Sequence, residues 1–231
     1  MTIFGYIKKF ILIFLKYASL VLFSLVAIIP LVSCVITAFK TDAEYNSTNV
    51  MTPPSSWLYF ENFVSAFKKA GMGRAFINST IILIAVLILS VFIGTQLAYV
   101  LNRFQFFGNT LIRNLFLVAC QLPGVAMQIA VYEMMYKLGF INNMFGYILM
   151  TCGTDVISIY IYIQFFENID YSLDESAIMD GASYFTIFYK ILLPLLKPAI
   201  VTACILKGVG TYNEYYNANL YLQDKKRYAT V

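Results

Sequence analysis

The chain has 231 residues, 60% apolar, 17% aromatic and only 12% charged, with a mean hydropathy of +0.74 and a net charge of +4. Apolar runs this long and this free of charge exclude a soluble globular protein, and the dispersed positive charge lacks the basic patch of a nucleic-acid binder. Histidine, the commonest general base and metal ligand, is absent, and Cys34, Cys120, Cys152 and Cys204 are spaced for neither a zinc site nor a secreted disulfide framework.

Met1 to Phe10 reads as a short amphipathic start carrying Lys8 and Lys9. It is not a cleaved signal peptide, because the apolar run behind it is too long and lacks a small-residue cleavage site. Residues 11–39 form the first predicted span; a bilayer core about 30 Å thick needs roughly 20 apolar residues. Lys40 to Arg74 is an aqueous loop, irregular around Thr52-Pro53-Pro54-Ser55-Ser56. Trp57, Tyr59 and Phe60 read as interfacial aromatics, and Glu61 to Ala70 as a short surface helix. Further spans are predicted over 75–101, 110–136 and 144–166. The third carries Gln121, Pro123, Gln128 and Glu133, so it does not face lipid all round, and Leu122-Pro123-Gly124 marks a kink. A fifth span over 198–222 precedes a polar tail. The fold class is all-α: a polytopic helical membrane protein with five predicted transmembrane helices in a single domain.

Residues 167–197 interrupt this apolar pattern. Between Glu167 and Gly181 lie five acidic residues and no basic one. An anionic leaflet repels such a run, so it stands off the membrane or meets a basic partner. Ser172-Leu173-Asp174-Glu175 fits a capping box that starts a short helix, and Gly181 is placed to end it in the left-handed conformation. A second amphipathic helix runs through Phe185, Phe188, Tyr189 and Ile191 until Pro194 ends or kinks it. The spacing is Glu175-x-Ala177, Gly181 six residues after the glutamate, nine residues, then Ile191-x-Leu193-Pro194. Together with Asp180-Gly181-Ala182-Ser183 and Leu193-Pro194-Leu195-Leu196-Lys197-Pro198, it resembles the E-A-A-x3-G-x9-I-x-L-P loop of ABC importer permeases, in their carbohydrate-uptake (MalG-like) branch. Ser176 stands where the family has its first alanine. Phe39 to Glu44, Asn62-Phe63 and Leu138 to Asn142 are similar to further segments of the same family.

The resemblance implies a type I importer permease core with its N-terminus and the 167–197 coupling loop in the cytoplasm. Counting Lys and Arg gives seven inside against eight outside and does not settle the orientation. Members of the branch have six spans, so the resemblance implies a last span beyond the tail that this chain lacks. It implies a dimer of cytoplasmic ATPase subunits, a second permease subunit and an extracytoplasmic solute-binding protein, with Lys40 to Arg74 as a docking surface for the last. ATP is then bound by the partner subunit and no cofactor by this chain, which has no G-x4-G-K-[ST] phosphate loop. In this scheme Glu175 contacts a basic group on the ATPase and Gly181 makes the turn. Ala177 and Ala182 allow close approach, and Asp180, Ile191, Leu193 and Pro194 complete the motif. The solute implied is a sugar or oligosaccharide. A non-carbohydrate solute, or a membrane anchor that only displays the loop, are the alternatives.

Polar residues within spans supply the candidate translocation path. Lys207 and Glu214 lie seven apart, two turns along one face of the fifth span, as an ion pair or contacts to a partner helix, or as a lining of the path or its gate. Tyr212-Asn213-Glu214-Tyr215-Tyr216 resembles a W-N-E-F-like segment of the family, which adds Asn213. Gln121 and Gln128, also seven apart, either bond between helices or line the path. Glu133 and Lys137 read as a helix-stabilising pair. No paired carboxylates or nucleophile–base set converge, so the chain is not read as an enzyme.

Overall fold

The computed structural model describes residues 3–153, 155–228 and 230, and every regular element among them is helical. The chain divides into two compact units, Met1–Ala70 and Gly71–Val231.

The first unit begins with α1 (Ile3–Ala38), a 36-residue helix whose Lys9–Ala38 stretch is long and apolar enough to cross a membrane. Phe10, Phe23 and Leu31 stand exposed along it, as lipid-facing side chains do. Its last carbonyls need partners. Asn62 supplies them, donating from Nδ2 to the carbonyls of Ala38 at 3.0 Å and Lys40 at 2.7 Å. Lys40 itself is buried and donates to Thr48 Oγ1 at 2.9 Å and the Asn49 carbonyl at 2.7 Å. Next, α2 (Asp42–Ser47) starts with a capping box between Thr41 and Glu44. Glu44 also accepts from the N–H of Ser55 at 2.9 Å and from its hydroxyl. The Phe39 ring meets Trp57, Phe60 and Phe63 at 5.7, 5.7 and 5.2 Å, and α3 (Glu61–Lys69) closes the loop. Phe39 to Glu44 and Asn62-Phe63, distant in sequence, are therefore one knot, while residues 52–56 between them are irregular chain, as expected.

The second unit is organised on α4 (Met72–Arg103), a 32-residue helix. Around it pack α7 (Met144–Gly153), α8 (Val156–Glu167) and α11 (Lys197–Tyr212). Small residues let the helices approach closely. A Cβ at Gly94 would stand 3.0 Å from the Tyr162 ring of α8, and Ala98 is fully buried. Two apolar cores result. One gathers Tyr99, Phe166, Ile187, Phe188, Leu192 and Leu196; the other gathers Val86, Met135, Tyr147 and Tyr221.

Three expected spans are bent or interrupted. In place of a rod over 110–136 stand α5 (Asn109–Gln121) and α6 (Gly124–Lys137), and Asn109–Gln121 meets Ala126–Lys137 at 109°. Pro123 offers no N–H and forces Leu122 into an extended conformation, with ψ 125°. The 144–166 run is α7 and α8, bent by 45°. The 198–222 run is not one helix: α11 ends at Tyr212, Asn213 and Glu214 leave the helix, and α12 (Tyr215–Tyr221) follows. Between α8 and α11 come α9 (Ser172–Met179) and α10 (Tyr184–Leu195). Among the described residues two helices qualify as spans by length and composition, and up to five do if each bent pair is one span.

Candidate functional site: the α9–α10 elbow and the α11 cavity

The elbow is entered through an aspartate, not the expected serine. Asp170 Oδ1 accepts the Ser172 N–H at 2.9 Å, whereas no side chain caps α9 in the capping-box sense. The helix already starts at Ser172, so the Glu175 N–H that the serine hydroxyl would cap donates instead to the Tyr171 carbonyl at 3.1 Å. The hydrogen bonds from Ser172 hold the Asp170 carboxyl below the usual carboxylate range.

Of the two neighbouring acids on α9, Asp174 turns inward and Glu175 outward. Asp174 Oδ2 lies 3.1 Å from Arg103 Nη2 at the end of α4, both side chains being more than nine-tenths buried. The same Nη2 donates to the Ile169 carbonyl at 2.9 Å, and the guanidinium stands 5.3 Å from the centre of the Tyr171 ring. Burial pushes the Asp174 carboxyl upward while Arg103 pulls it back. A second, solvent-exposed pair joins Arg113 of α5 to Glu167 at 2.7 Å; exposed pairs contribute about 0–1 kcal/mol. The acidic run thus finds two of its basic partners within this chain.

α9 ends in a Schellman motif. The Gly181 N–H donates to the Ile178 carbonyl and the Ala182 N–H to the Ala177 carbonyl, each at 2.9 Å, with Gly181 at φ +80°. Ala177 is buried in the first core and Ala182 packs against it, the apolar contact that accompanies this cap. Their methyl groups pack within the elbow's own core. Ser183 then caps α10 by accepting the Thr186 N–H at 3.3 Å.

In α10 the buried face is Ile187, Phe188 and Leu192, continued by Leu196 at the bend, whereas Phe185, expected on it, is 71% exposed. Ile191 and Leu193 are half-buried against the core and Pro194 is exposed. Residues Ile187–Leu192 form a π-helical stretch, a rare local widening of the helix. The 71° bend between α10 and α11 falls at Leu196, two residues past Pro194. Outward from the elbow stand Glu175, Asp180, Ile178, Met179 and Phe185, acidic and apolar side by side.

Farther along α11 lies a cavity of about 320 Å³ lined by Tyr147 and Thr151 of α7, Asp155, Ser158 of α8, Lys207, Gly210 and Thr211 of α11, Glu214, and Asn217 of α12. Lys207 Nζ donates to the Thr151 carbonyl at 2.8 Å. Among the described residues it forms no ion pair with Glu214, and its contact is to a neighbouring helix, as one of the expected readings has it. Glu214 instead caps α12, accepting the Asn217 N–H at 3.1 Å. Gln128 of α6 reaches this group by donating to Asn217 Oδ1 at 3.0 Å, an interhelical bond.

The family described as "Binding-protein-dependent transport system inner membrane component" matches residues 87–223. The chain belongs to that family. It is similar to the diacetylchitobiose uptake system permease protein NgcG of Streptomyces coelicolor, at 28% identity over 87% of this chain and 66% of the relative. It is also similar to the melibiose/raffinose/stachyose import permease protein MelC of Bacillus subtilis, at 30% identity over 86% of this chain and 71% of the relative. The chain spans about two thirds of the length of these curated relatives. A bacterial ABC transporter involved in the import of the acidic polysaccharide alginate shares the fold, with a TM-score of 0.77 at 22% identity over 96% of this chain and 78% of that one.

Both the elbow and the cavity of this inner membrane component fall inside the matched residues. Not every residue expected on the path joins them. Gln121 is exposed at the end of α5, before the 109° bend, so a seven-residue spacing no longer puts it on one face with Gln128. Asn213 is exposed and donates to the Val209 carbonyl of its own helix, closing α11 rather than lining the cavity. Glu133 and Lys137 do pair on the surface of α6, at 2.7 Å. Sequence reasoning missed Asp155, Asn217 and the Arg103–Asp174 pair. An acid in an apolar run is the signal that would have found Asp155; nothing local separates Asp174 from Glu175.

Proposed function

We propose that this chain is a permease subunit of an ABC importer, carrying a sugar or oligosaccharide across the cytoplasmic membrane, with the α9–α10 elbow docked on a cytoplasmic ATPase subunit. The observation that carries this reading is the two-sidedness of the elbow. Asp174 and Ala177 fix it to α4 and to the core, while Met179 at 87% exposure and Phe185 stand out beside Glu175 and Asp180. Large apolar side chains held in water mark a protein interface, and the acids beside them call for a basic rim on the partner. The uptake names of the relatives support the solute class. A second permease subunit and an extracytoplasmic binding protein complete the assembly, and the loop tied by Lys40, Glu44 and Asn62 offers the latter a fixed surface.

Closure of the ATPase pair displaces the elbow. Because α10 runs through the 71° bend into α11, that displacement is delivered to the helix bearing Lys207 and Thr211. The two states must differ in elbow–ATPase contacts for nucleotide to shift their balance. Glu175→Lys should abolish solute-stimulated ATP hydrolysis in the reconstituted complex while the subunits still assemble; full stimulation in that variant would remove Glu175 from the docking surface.

A further inference from the structure

Two interrupted helices meet at the α11 cavity. The break between α7 and α8 brings Asp155 to it, and the break between α11 and α12 brings Glu214. Inside a bilayer, backbone leaves the helix only where protein or a polar cavity satisfies it, and such breaks mark binding sites in transporters of other folds. Asp155 Oδ2 and Thr211 Oγ1 are buried without a hydrogen-bond partner among the described residues, a rarity in native proteins. Lys207 spends one of its three donors on Thr151, and Glu214 one carboxylate oxygen on Asn217. Lys207 and Glu214 therefore bring unused donors and acceptors of both signs to the cavity. Asp155 and Thr211, which also line it, each carry a buried polar atom left unsatisfied in this conformation.

We propose that this cavity binds one uncharged, hydroxyl-rich ring unit of the solute, through Asp155, Lys207, Thr211 and Glu214. The proposal rests on the transport reading above. A hydroxyl both donates and accepts, so it satisfies the carboxylates and the ammonium together. An anionic ring would add a third negative charge beside Asp155 and Glu214, and a cation would face Lys207. About 320 Å³ is the small end of the range for ligand pockets, which suits one ring and not an extended chain.

Gly210→Cys places a thiol on the cavity wall, where an added Cβ meets nothing within 4 Å. The transported solute is first identified by growth on a panel of neutral and uronic-acid oligosaccharides. Labelling of the Gly210→Cys complex by a small thiol reagent is then followed with and without that solute. The expected result is a neutral solute that slows labelling at least tenfold, with the protection lost in Lys207→Met or Glu214→Gln. Should those variants fail to assemble, the labelling of Gly210→Cys alone decides. Transport of a neutral solute with unprotected labelling would overturn the site and leave the transport reading standing, the cavity then holding water only. Protection that survives both substitutions, or a carried solute that is anionic, would also overturn it. If no saccharide on the panel is carried, the transport reading fails and this site with it.

Discussion

Gly181 sits at φ +80° with open space where a Cβ would be, so its constraint is conformational and not steric. Gly181→Ala should cost about 1–2 kcal/mol, the penalty for an L-residue in the left-handed region, read as a lower thermal midpoint in detergent. Gly181→Asn should recover part of it. Glu44 makes a pH-dependent prediction. Its hydrogen bonds from the Ser55 side chain, then from the Thr41 and Ser55 backbones, lower its pKa to about 2 from an ordinary 4.5. A depressed acid adds stability that is present above its unfolded pKa and lost as pH falls through the folded one. The loop should therefore hold from neutrality to about pH 4.5 and loosen between there and about pH 2. The single tryptophan, Trp57, packs on Phe39 in this loop, so its emission reports the change. Glu44→Gln should remove the pH dependence over that range. Gly181 could be read from the sequence because the turn needs a residue free of Cβ. The inward turn of Asp174 could not, since it depends on Arg103, which only the tertiary fold brings near.

The elbow and the helix breaks differ in how far sequence reveals them. The glycine is a local signal, and the turn between α9 and α10 follows from it, whereas the cap of α9 and the bend past Pro194 emerge only in the tertiary structure. The interruption at Asn213 and Glu214 has no such signal, because the apolar run from 198 to 222 reads as continuous; the break exists where Glu214 caps α12 and faces the cavity. The same holds for the buried face of α10. Its π stretch rotates the side chains away from regular helical spacing, leaving Phe185 outside and Leu192 within. At this scale the Arg103–Asp174 pair is the joint between α4 and α9. Replacing either partner alone by leucine strands a buried charge and should cost about 3–5 kcal/mol, whereas the double replacement should cost much less. Denaturant unfolding of the four variants in micelles gives the cycle. Because burial raises the Asp174 pKa, its own titration favours stability at pH below the ordinary carboxylate value and loses that contribution as pH rises through the folded pKa.

For the whole molecule, the composition was enough to place the chain in a membrane, and one twenty-residue motif was enough to place it among the inner membrane components of binding-protein-dependent transport. What the motif does physically became clear only in three dimensions. Part of it builds the elbow itself, as Ala177 and Gly181 do, and part stands exposed, as Glu175 does, on the side proposed to meet a partner. The account stands on that partner being the subunit that hydrolyses ATP. A photo-cross-linking residue at position 179, the most exposed apolar point of the elbow, tests it in the assembled transporter. The account predicts an adduct with the ATPase subunit whose yield changes when nucleotide is added. An adduct only with lipid or with the solute-binding protein would contradict it.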